Sequence, residues 1–402
     1  MKLDTQQLLA VDRAINGKRL LIISGGAGVG KTHTTKFICD EFDKIGQPYA
    51  LCAFAGKAAA RLREATRRPA STLHRLLRFN GKQYLLELDA LKDIVVLCDE
   101  SSMLDSQILA ELIRRNPKKL ILVGDQAQLP PVGRAQPYHD ILTLRPDLVV
   151  ELKTSYRATE AVFQAATVIR AGGRPPMEAT SDGEKWTMTN TGSAARTQAQ
   201  ILEWVEAGTF DFQQDIILVA RNGESDTDPC TVRGLNAAIV DTISPREGKR
   251  KFNTGDRVIN TKNLPELDVW NGTTGTVHAI DQDGGIWVRT DIPVIDWRRT
   301  HDERAPVYTD HVLFGKDVRS HLQLAYALTV HKSQGSQYRR VLMACFQRDT
   351  FGLLDRSLLY TGVTRTKQAC CVVGELSAVW TAIDKVNRKR TIIQELAAVD
   401  AA

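Results

Sequence analysis

The chain has 402 residues, of which 43% are hydrophobic and 25% charged, a composition typical of a globular protein with room for two or three domains. No run of 18 apolar residues is present and residues 1–7 carry no long apolar stretch, so we expect neither a membrane span nor a secretory signal. The net charge of +6 mildly favours a polyanionic partner without identifying it.

A glycine-rich stretch, residues 25–32, follows the apolar run 20–23 and opens into a helical pattern. This order predicts a phosphate-binding loop, because glycines let successive N–H groups point at phosphate oxygens. The alternative, a turn that binds nothing, is disfavoured because every fixed position of the loop is filled. We expect Lys31 to reach the β- and γ-phosphates and Thr32 to hold Mg²⁺. The predicted loop residues are Gly25, Gly26, Ala27, Gly28, Val29, Gly30, Lys31 and Thr32.

Segments on both sides of this loop carry further candidate residues. Residues 3–16 read as a helix, on which the Gln7 amide either reads the donor and acceptor edges of adenine or is a solvated helix residue. The apolar run 49–54 predicts a buried strand, and Lys57 beyond it either meets a phosphate or belongs to an ordinary strand–helix connection. Thr72, with the serine before it, is placed to cap the next helix.

The Asn80-Gly81 pair predicts a small hairpin over about residues 75–92, since this pair favours a tight turn between two strands. The hairpin is interpreted either as a wedge that projects from the first domain or as a surface loop. Both interpretations stay open at the level of sequence.

The apolar run 94–98 ends in two carboxylates, which after a phosphate loop is the Walker B arrangement. Asp99 is expected to hold Mg²⁺, and Glu100 to orient and deprotonate the attacking water; the alternative is helix-capping charge. A second run, 119–124, is followed by Gln126, which can sense the γ-phosphate across the strand ends. Repeated apolar runs followed by helical patterns predict a parallel α/β domain over residues 1–150.

The apolar runs return in the second half of the chain, near residues 215–220, 341–345 and 369–373. They predict a second parallel-sheet domain made of residues 151–272 and 321–402. Short alternating runs with Asp-Gly turns predict a small β-barrel inserted at 273–320. Its basic and aromatic residues either contact nucleic acid or form the core and rim of the barrel, which we favour; they are Trp287, Trp297, Arg298 and Arg299.

Two sets of polar residues in this half are candidates for phosphate contacts. Thr329, His331 and Ser333 alternate, so they share one side if the strand continues, as suits contacts to a nucleic-acid backbone. Arg157 and Arg365 are candidates to clamp the γ-phosphate across an interdomain cleft, although either alone would be an ordinary surface residue.

Together these stretches resemble the superfamily 1 helicases, specifically the RecD/Dda-like branch, superfamily 1B. The resemblance spans nearly the whole chain, in the expected order of motifs. The matching stretches are Gln7 (Q motif), 25–32 (motif I), 53–59 (Ia), 71–74 (Ib), 99–103 (II), 124–130 (III), 156–157 (IV), 329–337 (V) and 360–365 (VI). Two departures are Phe54-Ala55 in motif Ia, where relatives often have Pro-Thr, and Gln337 in motif V, where many have Glu.

The resemblance implies two RecA-like parallel-sheet domains in tandem, with ATP and Mg²⁺ between them. It also implies a hairpin pin in the first domain and an SH3-like β-barrel in the second. Thr34 and Gly335 join the implied nucleotide-binding residues. The implied DNA-binding residues are Lys57, Thr72, His74, Phe79, Thr329, His331 and Ser333.

The implied activity is ATP-dependent DNA unwinding with 5′-to-3′ movement on single-stranded DNA, with forked duplex as a further substrate. A monomer in the cytoplasm of a bacterial or phage-infected cell is expected. A single-stranded DNA-binding or replication protein is a further expected partner. The seven cysteines lack the C-x-x-C spacing of zinc sites and fit a reducing compartment.

Two other functions compete with this interpretation. One is a translocase that strips proteins from single strands without unwinding a duplex as its main role. The other is a small-molecule kinase with the same phosphate loop, which two separated arginine motifs and a second sheet disfavour.

Overall fold

The structure is a computed structural model that describes residues 3–131, 135–154, 156, 160–181, 183–246, 251–301 and 307–386. The chain divides into two compact units, with the division between residues 159 and 160. The helices are α1 (Thr5–Asn16), α2 (Lys31–Lys44), α3 (Gly56–Thr66), α4 (Leu73–Leu76), α5 (Ser106–Arg114), α6 (Pro137–Leu144), α7 (Ala161–Arg170), α8 (Ala194–Glu206), α9 (Val232–Ile243), α10 (Arg356–Val363) and α11 (Leu376–Asp384).

The strands alternate with these helices in the first unit but not throughout the second. They are β1 (Leu20–Gly25), β2 (Tyr49–Ala53), β3 (Ala70–Thr72), β4 (Val95–Asp99), β5 (Lys119–Gly124), β6 (Val149–Leu152), β7 (Glu178–Ser181), β8 (Glu184–Asn190), β9 (Ile216–Val219), β10 (Arg257–Asn260), β11 (Thr274–Ile280), β12 (Ile286–Ile295), β13 (Tyr308–Phe314), β14 (Leu322–Leu324), β15 (Ala327–Thr329), β16 (Tyr338–Cys345) and β17 (Thr366–Gly374). No helix in this described part of the chain is long and apolar enough to cross a membrane.

The first unit is built on a six-stranded parallel sheet with the strand order β3-β2-β4-β5-β1-β6. Its central strands are apolar on both faces because helices cover both faces. Successive residues of one strand therefore enter opposite cores: Ile23 packs on the side of Ile38 and Phe42 of α2. Ile22 packs on the other side, with Leu112 of α5. The predicted parallel α/β unit is confirmed.

The predicted boundary at residue 150 needs correction. Strand β6 runs across that position and pairs in parallel with β1, so that Ile22 lies beside Val149 and Gly25 beside Leu152. A new apolar run begins here because β6 follows a turn at residues 146–148, and this run suggested the start of a second domain. The strand instead completes the first sheet.

The predicted hairpin is much smaller than the span 75–92 suggests. It is one antiparallel bridge between Phe79 and Tyr84. The Asn80 side chain closes the turn by accepting from the N–H groups of residues 82 and 83. Two further main-chain hydrogen bonds close its base, from the N–H of Leu85 to the oxygen of Arg78 and from the N–H of Leu86 to the oxygen of Leu77, and Leu77 and Leu91 lie in the core.

The second unit contains a six-stranded sheet in the order β15-β9-β16-β17-β8-β7. All neighbouring pairs are parallel except β7 with β8. Buried residues of β9 and β16, such as Ile217 and Leu342, pack against Leu235 and Ile239 of α9. The predicted second parallel sheet is confirmed, with an antiparallel strand at one edge.

A separate antiparallel sheet in the second unit has the order β13-β12-β11-β10-β14, around a core that includes Phe252, Val288 and Phe314. It begins before the predicted bounds of 273–320 and ends after them, because β10 pairs with both β11 and β14. Among the described residues the edge strands β13 and β14 do not pair, so the sheet is open. Of the predicted contact residues, Arg298 and Arg299 are exposed, and the two tryptophans are partly buried.

Candidate nucleotide-binding site

The glycine-rich loop joins β1, which ends at Gly25, to α2, which begins at Lys31. Gly28 and Gly30 have φ angles of +74° and +78°, in the left-handed region that favours glycine. A Cβ atom on Gly25 would lie 2.6 Å from Cγ2 of Val29. Gly25, Gly28 and Gly30 are therefore required by the backbone path of the loop.

The Lys31 ammonium is held over this loop. Its Nζ atom donates to the main-chain oxygens of Gly25 and Gly26, each at 2.8 Å. Thr34, a further predicted nucleotide residue, is buried and donates from its hydroxyl to the oxygen of Gly30 at 3.0 Å. Lys31 thus offers a positive charge where the helix begins, whereas the Thr34 hydroxyl is engaged within its own helix.

Gln7 is buried against the loop and is not the solvated residue that one interpretation expected. Its side chain is 0% exposed, and its Nε2 atom donates to the oxygen of Val29 at 3.4 Å. Its Oε1 atom accepts from the N–H of Asp4 at 3.1 Å and lies 3.0 Å from the Tyr156 hydroxyl. Sequence reasoning missed this burial because Tyr156 is 149 residues away.

The acidic pair of the predicted Walker B motif lies at the carboxyl edge of the same sheet. β4 and β1 flank β5, with Cys98 beside Leu122 and Ser24 beside Gly124. The end of β4 at Asp99 and the start of the loop therefore meet at one edge of the sheet.

Burial raises the pKa of Asp99 to about 6, and the neighbouring charge of Glu100 adds to the rise; the Glu100 N–H and the Lys31 charge oppose it. A bound cation would oppose this rise in the pKa, since it favours the ionised carboxylate. Glu100 adopts a φ angle of +52°, which is strained for a residue with a side chain. Such strain is found where surrounding structure must aim a side chain, as expected of a residue that positions water.

The residues at this edge suit a magnesium nucleotide. Within the described ranges no three His, Cys, Asp or Glu side chains are grouped to hold a metal ion by themselves. Magnesium prefers a few protein oxygens together with phosphates and water, which Thr32 and Asp99 would supply. Gln126 follows β5, and its main-chain oxygen contacts Nε2 of His139 at 3.0 Å.

The predicted DNA-contacting residues of the first unit lie along helices α3 and α4. Lys57 is in the first turn of α3, and Thr72 caps α4 by accepting from the N–H of Arg75 at 3.2 Å, which confirms the predicted cap. His74 packs edge-on against Phe79, with ring centroids 5.4 Å apart, and burial lowers its pKa. Phe79 and Tyr84 pack on each other at 4.7 Å. His74 is therefore part of an aromatic cluster at the base of the small hairpin.

Arg115 was missed by sequence reasoning. Its side chain, 5% exposed, donates to the main-chain oxygens of Tyr84 at 3.0 Å and Leu86 at 2.9 Å, and it pairs with Glu111. Arg115 thus fixes the return strand of the hairpin to α5. A run of charged residues at a helix end carries no sign of such a long-range contact, so no sequence signal could have identified it.

Thr329, His331 and Ser333 would share one side only if the strand continued, and it does not continue. β15 ends at Thr329, and residues His331–Ser333 form a 3₁₀ turn. The Ser333 hydroxyl is fully buried and donates to the oxygen of Val330 at 2.7 Å, because a 3₁₀ turn brings these atoms together. His331 remains partly exposed, and burial lowers its pKa. Gly335 is buried with a φ angle of +73°.

Of the two predicted clamp arginines, Arg157 lies outside the described residues. Arg365 follows α10 and is 3% exposed. Its Nε atom donates to the oxygen of Thr361 at 3.0 Å. Arg365 is therefore a buried residue of the second unit and not an ordinary surface arginine.

A glycine-rich loop between a parallel strand and a helix, beside a strand that ends in a partly buried carboxylate, defines a P-loop nucleotide-binding fold. Comparison with known families and proteins narrows this class. Residues 7–134 match the family described as AAA domain, and residues 324–373 match the UvrD-like helicase C-terminal domain.

The chain is similar to the ATP-dependent RecD2 DNA helicase of Deinococcus radiodurans, with 30% identity over 94% of this chain and 50% of the relative. It is also 30% identical to the RecBCD enzyme subunit RecD of Mycobacterium tuberculosis, over 90% of this chain and 68% of that relative. The chain thus spans half the length of the first relative and about two thirds of the second. The chain belongs to the RecD-like helicases of superfamily 1, as its motifs predict.

Solved structures agree with this family at the level of the fold. A Pif1 helicase from Bacteroides, in complex with ADP-AlF3 and ssDNA, has a TM-score of 0.58 and 18% identity, and the match covers 100% of this chain and 98% of that one. The Pif1 helicase of Candida albicans has a TM-score of 0.52 at 18% identity, with 100% and 99% covered. The predicted RecA-like architecture is therefore shared with these helicases.

Proposed function

We propose that the chain is an ATP-dependent DNA helicase that moves 5′-to-3′ along single-stranded DNA and unwinds forked duplex. The observation that carries this proposal is the position of the Lys31 ammonium over the loop, at the same sheet edge as Asp99 and Glu100. The named activity of the RecD2 relative supports ATP and DNA as the substrates.

Each residue at the edge has a part in the proposed hydrolysis. Lys31 neutralises the β- and γ-phosphates, and the loop N–H groups bind their oxygens. Thr32 and Asp99 hold Mg²⁺, which supplies charge neutralisation when bound. Glu100 accepts the proton of the attacking water, and Gln126 contacts the γ-phosphate.

Arginines neutralise the negative charge that develops on the transferred phosphoryl group. We assign this role to Arg365 and Arg157, since arginine binds phosphate oxygens with two donors at once. Loss of the γ-phosphate would remove the anchor of these side chains and so couple hydrolysis to movement.

The proposed track for DNA uses both units. Lys57, Thr72 and His74 contact phosphates from the first unit, and Thr329 and His331 from the second. Such contacts hold the strand without reading its sequence, as a motor that moves on any sequence requires. The antiparallel sheet within 252–324 is assigned to the SH3-like insertion of the family, and the chain is proposed to act as a monomer.

The small hairpin gives weight to a second candidate, a translocase that displaces bound proteins. Its single bridge, and the packing of Phe79 and Tyr84 on each other, leave less projecting surface than a long pin has. In the helicase proposal these rings stack on the base at the fork. Replacement of both rings by alanine separates the candidates: unwinding stops in a helicase, while movement along single strands continues.

Unwinding of tailed duplexes tests the proposed function. With ATP and Mg²⁺, a duplex with a 5′ single-stranded tail should be separated, and the same duplex with a 3′ tail should not. ATP hydrolysis on single strands without separation of either substrate would instead support the translocase. No hydrolysis on any DNA would contradict both.

A further inference from the structure

Two histidines of the antiparallel sheet contact each other across a strand that lies between them. His278 belongs to β11 and His311 to β13, and β12 separates these two strands in the sheet. Strands in these positions are about 10 Å apart, yet the ring centroids are 4.9 Å apart, with an interplanar angle of 85°. Val277 and Val312, the sequence neighbours of the histidines, belong to the core. Both rings therefore lie over β12, on the face of the sheet opposite the core.

A β-bulge directs His278 toward this position. Val277 pairs with Val288, and Ala279 pairs with Trp287, the residue next to Val288. His278 is therefore an extra residue of β11, with no residue opposite it on β12. Bulges re-aim a side chain and are common beside functional sites. Because His278 is exposed, packing in the core does not account for the bulge.

The carboxylate of Asp310 orients the second ring. Its Oδ1 atom lies 2.7 Å from Nδ1 of His311. Since an ionised carboxylate only accepts, Nδ1 carries the proton, and Nε2 of the neutral ring is left as an acceptor. A carboxylate behind an imidazole is the usual outer partner of a metal-binding histidine, because it fixes the tautomer and the ring orientation. Arg289 lies opposite His311 in register, but it is exposed and donates to Oε1 of Gln213 at 3.5 Å.

We propose that His278 and His311 bind a divalent transition-metal ion of the zinc class, with Asp310 as the outer partner of His311. Zinc lies about 2.1 Å from an imidazole nitrogen, and tetrahedral ligands are about 110° apart. Two rings on one zinc ion then have centroids about 5 Å apart, and the observed separation of 4.9 Å matches this value. Water completes the coordination, since no third His, Cys, Asp or Glu of the described chain is placed to join the pair.

The bound ion joins β11 to β13 over β12 and so stabilises the antiparallel sheet. Imidazole nitrogens favour zinc, copper and nickel, whereas magnesium prefers oxygen ligands, so Mg²⁺ does not compete for this site. Two ligands in place of the four of a structural zinc site predict a dissociation constant on the order of 1–200 µM. The site does not depend on the proposed helicase function, because all its residues belong to the antiparallel sheet.

Zinc titration of the nucleotide-free full chain tests the site, after treatment with EDTA and dialysis, by competition with a zinc-responsive chelating dye. We expect the unaltered protein to bind a zinc ion that the double variant with His278→Gln and His311→Gln does not bind. Asp310→Asn keeps both rings and should weaken binding about tenfold or more. His321→Gln is the matched control and should bind as the unaltered protein does, since His321 precedes β14 at the opposite edge of the sheet.

Equal zinc binding by the unaltered protein and the double variant would overturn the proposal, and so would a dissociation constant above about 1 mM. Thiols interfere little, because six of the seven free cysteines are buried. Thermal unfolding is a second measurement: zinc should raise the unfolding temperature of the unaltered protein and leave that of the double variant unchanged. If the double variant fails to fold, His278→Gln, at an exposed position, replaces it with the same expected loss. An unfolding temperature that zinc does not raise in the unaltered protein would show that the two rings only pack on each other.

Discussion

The guanidinium of Arg115 donates a hydrogen bond of 3.0 Å to the main-chain oxygen of Tyr84. This contact joins the end of α5 to the hairpin that carries the two aromatic rings proposed to meet the fork. It is made by a side chain that is almost completely buried, so its replacement has consequences for both stability and unwinding.

Arg115→Met should reduce duplex unwinding while ATP hydrolysis on single-stranded DNA is retained, because the hairpin loses its anchor and the nucleotide edge keeps its residues. The free energy of unfolding should fall by about 1–3 kcal/mol, since main-chain acceptors and Glu111 lose their buried partner. Arg114→Met is the matched control, because Arg114 pairs with the same Glu111 but is exposed. Equal effects of the two variants on unwinding would contradict the role given to Arg115.

Lys57 and His331 should affect DNA binding in different ways. Burial lowers the pKa of His331, so at pH 7 it is a neutral donor and releases no counterion. Lys57→Ala should therefore reduce the slope of log affinity against log salt by about 0.7, the value for one phosphate on a single strand. His331→Gln should weaken binding without a change in slope. A reduced slope for His331→Gln would show that the imidazole is charged when it meets DNA.

The carboxyl group of Asp349 makes the stability of the folded protein depend on pH. Burial raises the pKa of its carboxyl from 3.8 to about 6, although the charges of Arg348 and Arg221 oppose the rise. Because the pKa is higher in the folded protein than in the unfolded chain, the protonated carboxyl stabilises the folded protein. This stabilisation is complete below about pH 3.8 and is lost as the pH rises through about 6.

Asp349→Asn should therefore stabilise the protein at pH 8, by about 1–3 kcal/mol for a shift of this size, and by about half as much at pH 5. Denaturant unfolding at the two pH values measures the difference. Asp226→Asn, at an exposed carboxylate paired with Arg233, is the control for the substitution itself. A gain for Asp349→Asn that is equal at both pH values would contradict the assignment.

Arg365→Lys should lower the turnover of ATP by about a hundredfold or more, as expected when an arginine that stabilises the transferred phosphoryl group is replaced. Nucleotide and DNA affinities should change little. Arg356→Lys is the control, because that side chain donates to the main-chain oxygen of Ile383 within the same unit. If Arg365→Lys lowers the unfolding temperature and leaves turnover intact, then Arg365 stabilises the fold through its hydrogen bond to Thr361 and does not act in hydrolysis.

Local sequence patterns were sufficient for the parts of the fold that depend on neighbours in the chain. Apolar runs predicted the central strands of both sheets, and the glycine spacing predicted the loop between Gly25 and Lys31. These features follow from backbone sterics and from burial on both faces of a parallel sheet.

Features that depend on distant contacts were not predictable. The burial of Gln7 requires Tyr156, the hairpin anchor requires Arg115, and β6 belongs to the first sheet because it pairs with β1. Ser333 also escaped prediction, since the alternation of polar residues at 329–333 continues into a 3₁₀ turn instead of a strand.

The most direct measurement of the central claim is the ATP hydrolysis rate of Lys31→Ala with and without single-stranded DNA. The unaltered protein should be stimulated strongly by single-stranded DNA, and the variant should hydrolyse no ATP under either condition while it unfolds at the same temperature. Turnover by Lys31→Ala at the rate of the unaltered protein would contradict the assignment of this loop as the site that powers the motor.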